Sequence, residues 1–299
     1  MLHIVVLKSL AHFTPARIVH LIMNTYRRSR NISFGILCLW MFLSTCVLQC
    51  QEIAPLVGEA PSDRAQGQSA GTGSSVQRDV SLRQLPRNFI SDQKDLWFFP
   101  GQLAQGRHWL PTVAVVGTTA GLLAADPHDV SYFRRTSSFH GFNHAFSGKV
   151  TALEIGIVPA SFYLLGLARK DSYSGKTALF AGEAVADSLV LYAVINAATR
   201  RLRPSDIAPQ GPFNDTFFRA HNAVFSHSFP SGHTTAAFSV ATVFAIRHRS
   251  HRWVPWVAYG VAGIIGFSRV TLQSHFPADV FLGAALGYSI SRFNVLWVH

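Results

Sequence analysis

The chain has 299 residues, of which 48% are apolar and only 14% charged, with a formal net charge of +11. That length holds one large domain or a core with a tail, and the composition lies between that of soluble and of membrane proteins. The basic balance either favours anionic lipid or phosphorylated partners or marks a generically basic chain. No nucleic-acid motif and no basic stripe interleaved with aromatics is present, so nucleic acid is not an expected partner.

Five positive charges, Lys8, Arg17, Arg27, Arg28 and Arg30, fall in the first 31 residues, which hold no acid. Arg27-Arg28-Ser29-Arg30 is followed by an apolar run over 32–48, the pattern of an export signal or N-terminal anchor. Met23 is an alternative start that would give this signal a short basic head. The three cysteines, Cys38, Cys46 and Cys50, all cluster here, so the rest of the chain holds no disulfide, thiolate nucleophile or cysteine metal site. Val47-Leu48-Gln49-Cys50 has the outline of a lipoprotein processing box, although Gln49 is larger than the small residue expected there. Residues 51–80 are rich in Gly, Ser and Gln and read as a flexible linker. The expected organisation is an export signal or anchor over 1–50, a linker over 51–80 and a helical domain over 81–299.

Within that domain, residues 81–106 are mixed, with an amphipathic piece around Leu96-Trp97-Phe98-Phe99. Six apolar segments come next, at 110–125, 150–168, 178–199, 233–246, 253–267 and 277–291. Their length and Ala/Leu content favour helices over strands, and Pro159 is expected to kink the second. The expected fold class is all-α, a six-helix bundle.

Three short blocks then fit together. In the first, Asn196 and Arg203 are seven residues apart, about two helical turns, so they share a face of the third segment. Pro204 disfavours helical geometry at Arg203 and places its guanidinium fork at a helix end, where it can pair with two phosphate oxygens or cap the dipole. In the second, Pro230-Ser231-Gly232-His233 stands directly before the fourth segment. Ser231 is a plausible N-cap, Gly232 allows close backbone approach, and free N–H groups at a helix start accept anions. In the third, Ser268-Arg269 closes the fifth segment and Pro277 opens the sixth, with His275 just before it and Asp279 in its first turn. That spacing brings a carboxylate within reach of one imidazole nitrogen and leaves the other basic. Other polar residues read as structural. Glu183 and Asp187 are expected to make polar contacts between helices, and Asp126, His128 and Asp129 to form a solvated loop. His221 and His227 form a second loop cluster read as solvated, with a place at the substrate mouth as the alternative for either.

These blocks resemble the type 2 phosphatidic acid phosphatase and vanadium haloperoxidase superfamily, whose pattern reads Lys-x6-Arg-Pro, Pro-Ser-Gly-His, Ser-Arg-x5-His-x3-Asp. The second and third blocks match in full. In the first, Asn196 stands where the family has lysine. The resemblance covers about residue 110 to the end and implies a helical, metal-independent phosphatase without a cofactor. It implies that His275 attacks phosphorus, Asp279 orients His275, and His233 protonates the leaving alcohol. Arg203, Ser231, Gly232 and Arg269 then bind the phosphate oxygens, assisted by Arg201 and Asn196. Arg200 or Arg201 is expected to replace the absent lysine, so that Asn196→Lys preserves or raises activity. The substrate would be a lipid phosphate, an isoprenyl pyrophosphate or a small phosphomonoester. The rivals are a vanadium haloperoxidase and a non-catalytic phosphate-binding protein of the envelope.

The expected location is the cell envelope, with the active site on the extracytoplasmic side and membrane association. Several apolar segments fall short of the roughly 20 residues needed to span a bilayer, and Glu154, Glu183 and Asp187 add cost in lipid. The sequence therefore favours a compact exported domain over six membrane spans.

Overall fold

The computed structural model describes residue 78 and residues 80–136, 138–146, 148–221 and 226–296. The signal or anchor expected over 1–50, its cysteines, and nearly all of the linker over 51–80 lie outside the described residues. Among the described residues the regular structure is entirely helical: α1 (Leu85–Ala104), α2 (Trp109–Arg135), α3 (His140–Ala145), α4 (Gly148–Arg169), α5 (Ser172–Thr199), α6 (Gly232–Arg247), α7 (Val254–Thr271) and α8 (Pro277–Ile290). A 3-10 turn succeeds α5 at Pro204–Asp206, and a π turn, Ser291–Val295, ends the series.

Each of the six apolar segments coincides with one of these helices, but the count of six is too low. The mixed stretch at 81–106 forms α1. Arg78, just before it, donates to Asp92 on α1 (2.7 Å) and to Glu183 on α5 (2.8 Å), while Gln93 donates to Asp187 (2.9 Å). Val80 is 2% exposed and joins the core. Arg78 and Val80, within the region read as linker, thus pack against the helices, and Glu183 and Asp187 make the polar interhelical contacts expected of them. Helix α2 also runs ten residues beyond the expected end at Ala125, passing through Pro127. The ring removes one ladder bond there, a loss the flanking turns tolerate.

Helix α6 is the centre of the fold, with all but four of its 16 residues buried. On one side Val240, Val243 and Phe244 pack against Phe162 of α4 and Phe180, Ala181 and Ala184 of α5. On the other, Ala237, Ala241 and Ala245 meet Ala258, Ala262 and Ile265 of α7. The small residues let backbones approach, most closely at α8. A Cβ on Gly283 would lie 2.6 Å from the Ser231 carbonyl oxygen, and one on Gly287 would run into the Thr235 carbonyl and, at 3.0 Å, the Ser239 nitrogen. These glycines are required by packing, and they seat the middle and later turns of α8 against the first two turns of α6.

The flanking helices differ. Helix α2, the stretch Thr151–Arg169 of α4, and Ser172–Asp206, which contains α5, are long and apolar enough to cross a membrane. Only 11% of the most apolar stretch of α2 is buried, and Leu110, Val113 and Val116 are exposed. A soluble domain would turn such a face inward. These faces suit lipid and support membrane association over the expected compact exported domain, and the short segment expected at 110–125 proved longer in the structure.

Candidate active site

Four helix ends meet at one pole: the C-termini of α5 and α7 and the N-termini of α6 and α8. Backbone hydrogen bonds lace the three sequence blocks together. The Ser205 N–H donates to Gln273 O (3.0 Å), joining the Arg203-Pro204 turn to the turn before His275. The Ser231 N–H donates to Asp279 O (2.9 Å), joining the starts of α6 and α8. The Ser228 N–H donates to Arg201 O (2.8 Å).

His275 is 3% exposed, and its Nδ1 lies 2.6 Å from the carbonyl oxygen of Ser228. A carbonyl only accepts, so Nδ1 carries the proton and Nε2 keeps its lone pair. Asp279 was expected to do this orienting. Its Oδ2 is instead 3.8 Å from Nδ1, beyond hydrogen-bond range. The reason is competition for its two oxygens. Oδ2 accepts the Phe276 N–H (2.8 Å) and the Ser228 hydroxyl, and Oδ1 accepts from Arg201 Nη1 (2.5 Å). Ser228 therefore acts on both partners, holding the imidazole by its carbonyl and the carboxylate by its hydroxyl.

Ser231 sits at the N-cap position of α6 in extended geometry, but its hydroxyl accepts from Thr234 Oγ1 (2.9 Å) and caps no backbone N–H. Gly232 was expected to clear space for a ligand. The atom a side chain there would meet belongs to Tyr192, whose ring would lie 2.9–3.2 Å from a Cβ at this position. Glycine is needed so that α5 can approach the start of α6. His233, second in α6, is half-buried on the first turn.

The cations divide into two kinds. Arg203 precedes Pro204 in extended geometry, and its Nε is buried without a hydrogen-bond partner. Arg269 is buried and anchored on one side: Nη2 donates to Thr151 Oγ1 (2.9 Å), the Ser268 hydroxyl (2.9 Å) and the carbonyl of Phe146. Arg201 is different. Nε donates to Thr216 Oγ1 (3.0 Å), Nη1 to Asp279 and Nη2 to Asp126 (2.7 Å), with the guanidinium 3.9 Å from the centre of the Phe276 ring. Three of its donors are engaged with protein, so Arg201 braces two carboxylates where a phosphate contact was expected. Asn196 is also turned inward. Its amide donates to the carbonyls of His227 (3.0 Å) and Phe229 (3.2 Å), leaving no donor for phosphate. Arg200 caps α5 in the left-handed region (φ 42°).

Two residues read as solvated are buried. His227 is 3% exposed, its Nδ1 3.0 Å from Asn196 O. Asp126 is not in a loop but fully buried on α2, where it accepts from Arg201 and from the Ala278 N–H (3.2 Å). Sequence reading missed both Asp126 and Ser228. An acid closing an apolar run was the available signal for Asp126, since a buried carboxylate demands a cation. Ser228 carried none, its part being played largely by a backbone carbonyl. Among the described residues no group of three or more His, Cys, Asp or Glu side chains is placed to hold a metal ion.

Comparison with known proteins now adds to this geometry. The sequence model of the PAP2 superfamily matches residues 177–299. A lipid A 1-phosphatase of Rhizobium etli is 32% identical over 116 residues, 39% of this chain and 45% of that protein. A lipid A 1-phosphatase of Porphyromonas gingivalis is 36% identical over 74 residues, 24% of this chain and 16% of the relative. An undecaprenyl-diphosphatase of Bacillus subtilis is 36% identical over 73 residues, 23% of this chain and 36% of the relative. The chain spans less than half the length of each of these curated relatives. Among solved structures, a transmembrane PAP2 type phosphatidylglycerolphosphate phosphatase from Bacillus subtilis shares 25% identity, with a TM-score of 0.42 over 61% of this chain and 92% of that one.

Proposed function

We propose that the chain is a membrane-embedded phosphatase that removes phosphate from a phosphomonoester or pyrophosphate group on a lipid or isoprenyl carrier. The observation that carries this reading is the His275 imidazole, protonated at Nδ1 by its bond to Ser228 O and basic at Nε2, inside a pole that also holds Arg203, Arg269 and His233. The relatives that act on lipid A and on undecaprenyl diphosphate support the carrier class, as do the lipid-suited faces of α2 and α4.

Nε2 of His275 donates its lone pair to phosphorus while the bond from phosphorus to the leaving oxygen breaks. His233 gives that oxygen its proton. Water then attacks the phosphohistidine with loss of a proton to His233, and phosphate leaves with Nε2 free again. Arg203, Arg269, the Ser231 hydroxyl and the Gly232 N–H hold the non-bridging oxygens as charge gathers on them. Asp279 supports the imidazole through Ser228 and by its charge at 3.8 Å. Histidines and arginines carry every step, so the reaction needs no bound cation.

The site faces away from the cytoplasm. Arg169, Lys170 and Lys176 lie around the link from α4 to α5, and Arg247, Arg249 and Arg252 around that from α6 to α7, at the helix ends opposite the site. Cytoplasmic connections carry such an excess of positive charge.

The test is phosphate release by the purified full chain from a lipid phosphate, an isoprenyl diphosphate and a soluble phosphomonoester, each with chelator and with vanadate. Release from a carrier substrate that survives chelation and is blocked by vanadate is expected. Release only from the soluble ester would overturn the carrier class, and halide oxidation by a vanadate-loaded protein without phosphate release would favour a haloperoxidase.

A further inference from the structure

Asp126 lies on α2, outside the matched residues 177–299 and outside all three sequence blocks, yet it touches the machinery at two points. Its Oδ2 accepts from Arg201 Nη2 at 2.7 Å, and its Oδ1 accepts the backbone N–H of Ala278 at 3.2 Å. Ala278 is the second residue of α8, whose N-cap residue Phe276 supplies no side-chain cap. Asp126 therefore satisfies from another helix a donor that an N-cap side chain would ordinarily take.

The second contact works through charge. Arg201 is held between Asp126 and Asp279, two fully buried carboxylates, with the Phe276 ring 3.9 Å from its carbon and the Phe217 ring 4.8 Å away. Without Asp126, Arg201 would cancel the charge of Asp279, and its fork would lose the anchor that sets its angle. With Asp126, two carboxylates around one guanidinium leave one net negative charge near an imidazole that becomes cationic as it takes up phosphorus. The chain of contacts then runs Asp126, Arg201, Asp279, Ser228, His275, each link a hydrogen bond between buried groups.

We propose that Asp126 is a positioning residue for His275: through Arg201 and the first turn of α8 it fixes Asp279 and Ser228, and so the angle and charge environment of the imidazole. This rests on the reading of His275 as nucleophile. It also accounts for why α2, on the lipid side of the fold, reaches the site with a single buried acid.

The experiment measures kcat and KM separately for the full chain on the carrier substrate it hydrolyses, with wild type, Asp126→Asn and His275→Ala in parallel. Asp126→Asn keeps an acceptor for the Ala278 N–H and removes the charge facing Arg201. A misplaced reacting group costs on the order of 10²-fold. The expected result is therefore a fall in kcat of about ten- to a hundredfold, with KM changed by less than about threefold because Arg203 and Arg269 are untouched. Asp126→Glu should restore part of the loss, which a merely space-filling role would not predict. Wild-type kcat in Asp126→Asn alongside an inactive His275→Ala would overturn the positioning role alone. Turnover by His275→Ala would instead overturn the nucleophile it depends on. If Asp126→Asn fails to fold, Arg201→Lys, which keeps the cation and loses the fork, is expected to show the same fall in kcat at constant KM. Unchanged kcat there would contradict the inference.

Discussion

Helices α6 and α2 are both apolar, yet they meet opposite surroundings. Twelve of the 16 residues of α6 are buried, against three of the 27 in α2. Helix α6 is built from Ala, Thr, Ser and Val, sizes that let four neighbours close around it. Helix α2 carries Leu110, Val113 and Val116 outward and turns inward little more than Thr119, Asp126 and Val130. Apolar composition alone therefore does not say what an apolar face is for. Small residues mark protein contact, and larger aliphatic ones left uncovered mark lipid. On the proposed function, the two surroundings divide the labour, the crowded centre packing around the site and the open flank facing lipid.

The sharpest break in this contrast comes from adding volume on each side. Gly287→Val forces a side chain into the Thr235 carbonyl and Ser239 nitrogen of α6, both backbone and unable to yield. Overpacking of this kind costs about 1–3 kcal/mol or more, and here α8 must leave its seat. Gly117→Val on α2 meets nothing within 4 Å and is expected to leave stability unchanged. Thermal unfolding of both variants in detergent checks the pair; equal shifts would erase the distinction.

Asn196→Lys is the next largest. The amide ties the His227 and Phe229 carbonyls to α5, and the side chain is fully buried. Lysine cannot span both carbonyls in the same way and brings a charge inward, which costs several kcal/mol unless the charge finds an anionic partner. Lower thermal stability and lower phosphate release are expected, the reverse of what replacing the family lysine suggested from sequence. Raised activity at unchanged stability would show that the cradle needs that cation.

On the open flank, Val116→Asp should leave helix packing intact and impair membrane integration. A carboxylate at the centre of a spanning helix costs about 2.5–3.5 kcal/mol on insertion scales. The membrane-bound fraction after carbonate extraction measures it. Full integration would mean that this face of α2 does not meet lipid.

The smallest effect lies in the link between α4 and α5. Asp171 caps α5, accepting the Tyr173 N–H (2.9 Å) and the Ser174 hydroxyl (2.5 Å). Burial alone would raise its carboxyl, but these hydrogen bonds outweigh burial and hold it below the usual range. A depressed folded-state pKa contributes stability above the unfolded carboxylate value, and that contribution fades as pH falls through the folded one. Asp171→Ala should cost about 1 kcal/mol at neutral pH and less in acid. A cost independent of pH would assign the effect to packing.

Much of this contrast was legible in the chain. Pro204, Pro277 and the Ser-Gly-His turn mark helix ends, and those ends do converge, because local geometry at proline and glycine is fixed by sterics wherever the chain goes. What stayed hidden was which partner each polar group would choose. The spacing of His275 and Asp279 permits a hydrogen bond, but the facing oxygen Oδ2 is taken by the Phe276 N–H and by the hydroxyl of Ser228, 51 residues before Asp279 in sequence. Gly232 looked like an opening for ligand because nothing local reveals the Tyr192 ring beside it. Asp126 looked solvated because the apolar segment ends at residue 125, whereas the helix itself runs on to Arg135. Long-range competition for donors and acceptors is the common cause.

The central claim, that Nε2 of His275 is the group that takes phosphorus, is tested most directly by trapping the enzyme during turnover. The reconstituted full chain is mixed with a carrier substrate labelled in the transferred phosphate, quenched in alkali, where phosphohistidine survives, and digested for peptide mapping. Label on the peptide containing His275, absent in His275→Ala together with a loss of turnover of about 10²–10⁴-fold or more, is the predicted result. Wild-type turnover by His275→Ala, or label recovered on a different residue, would contradict it.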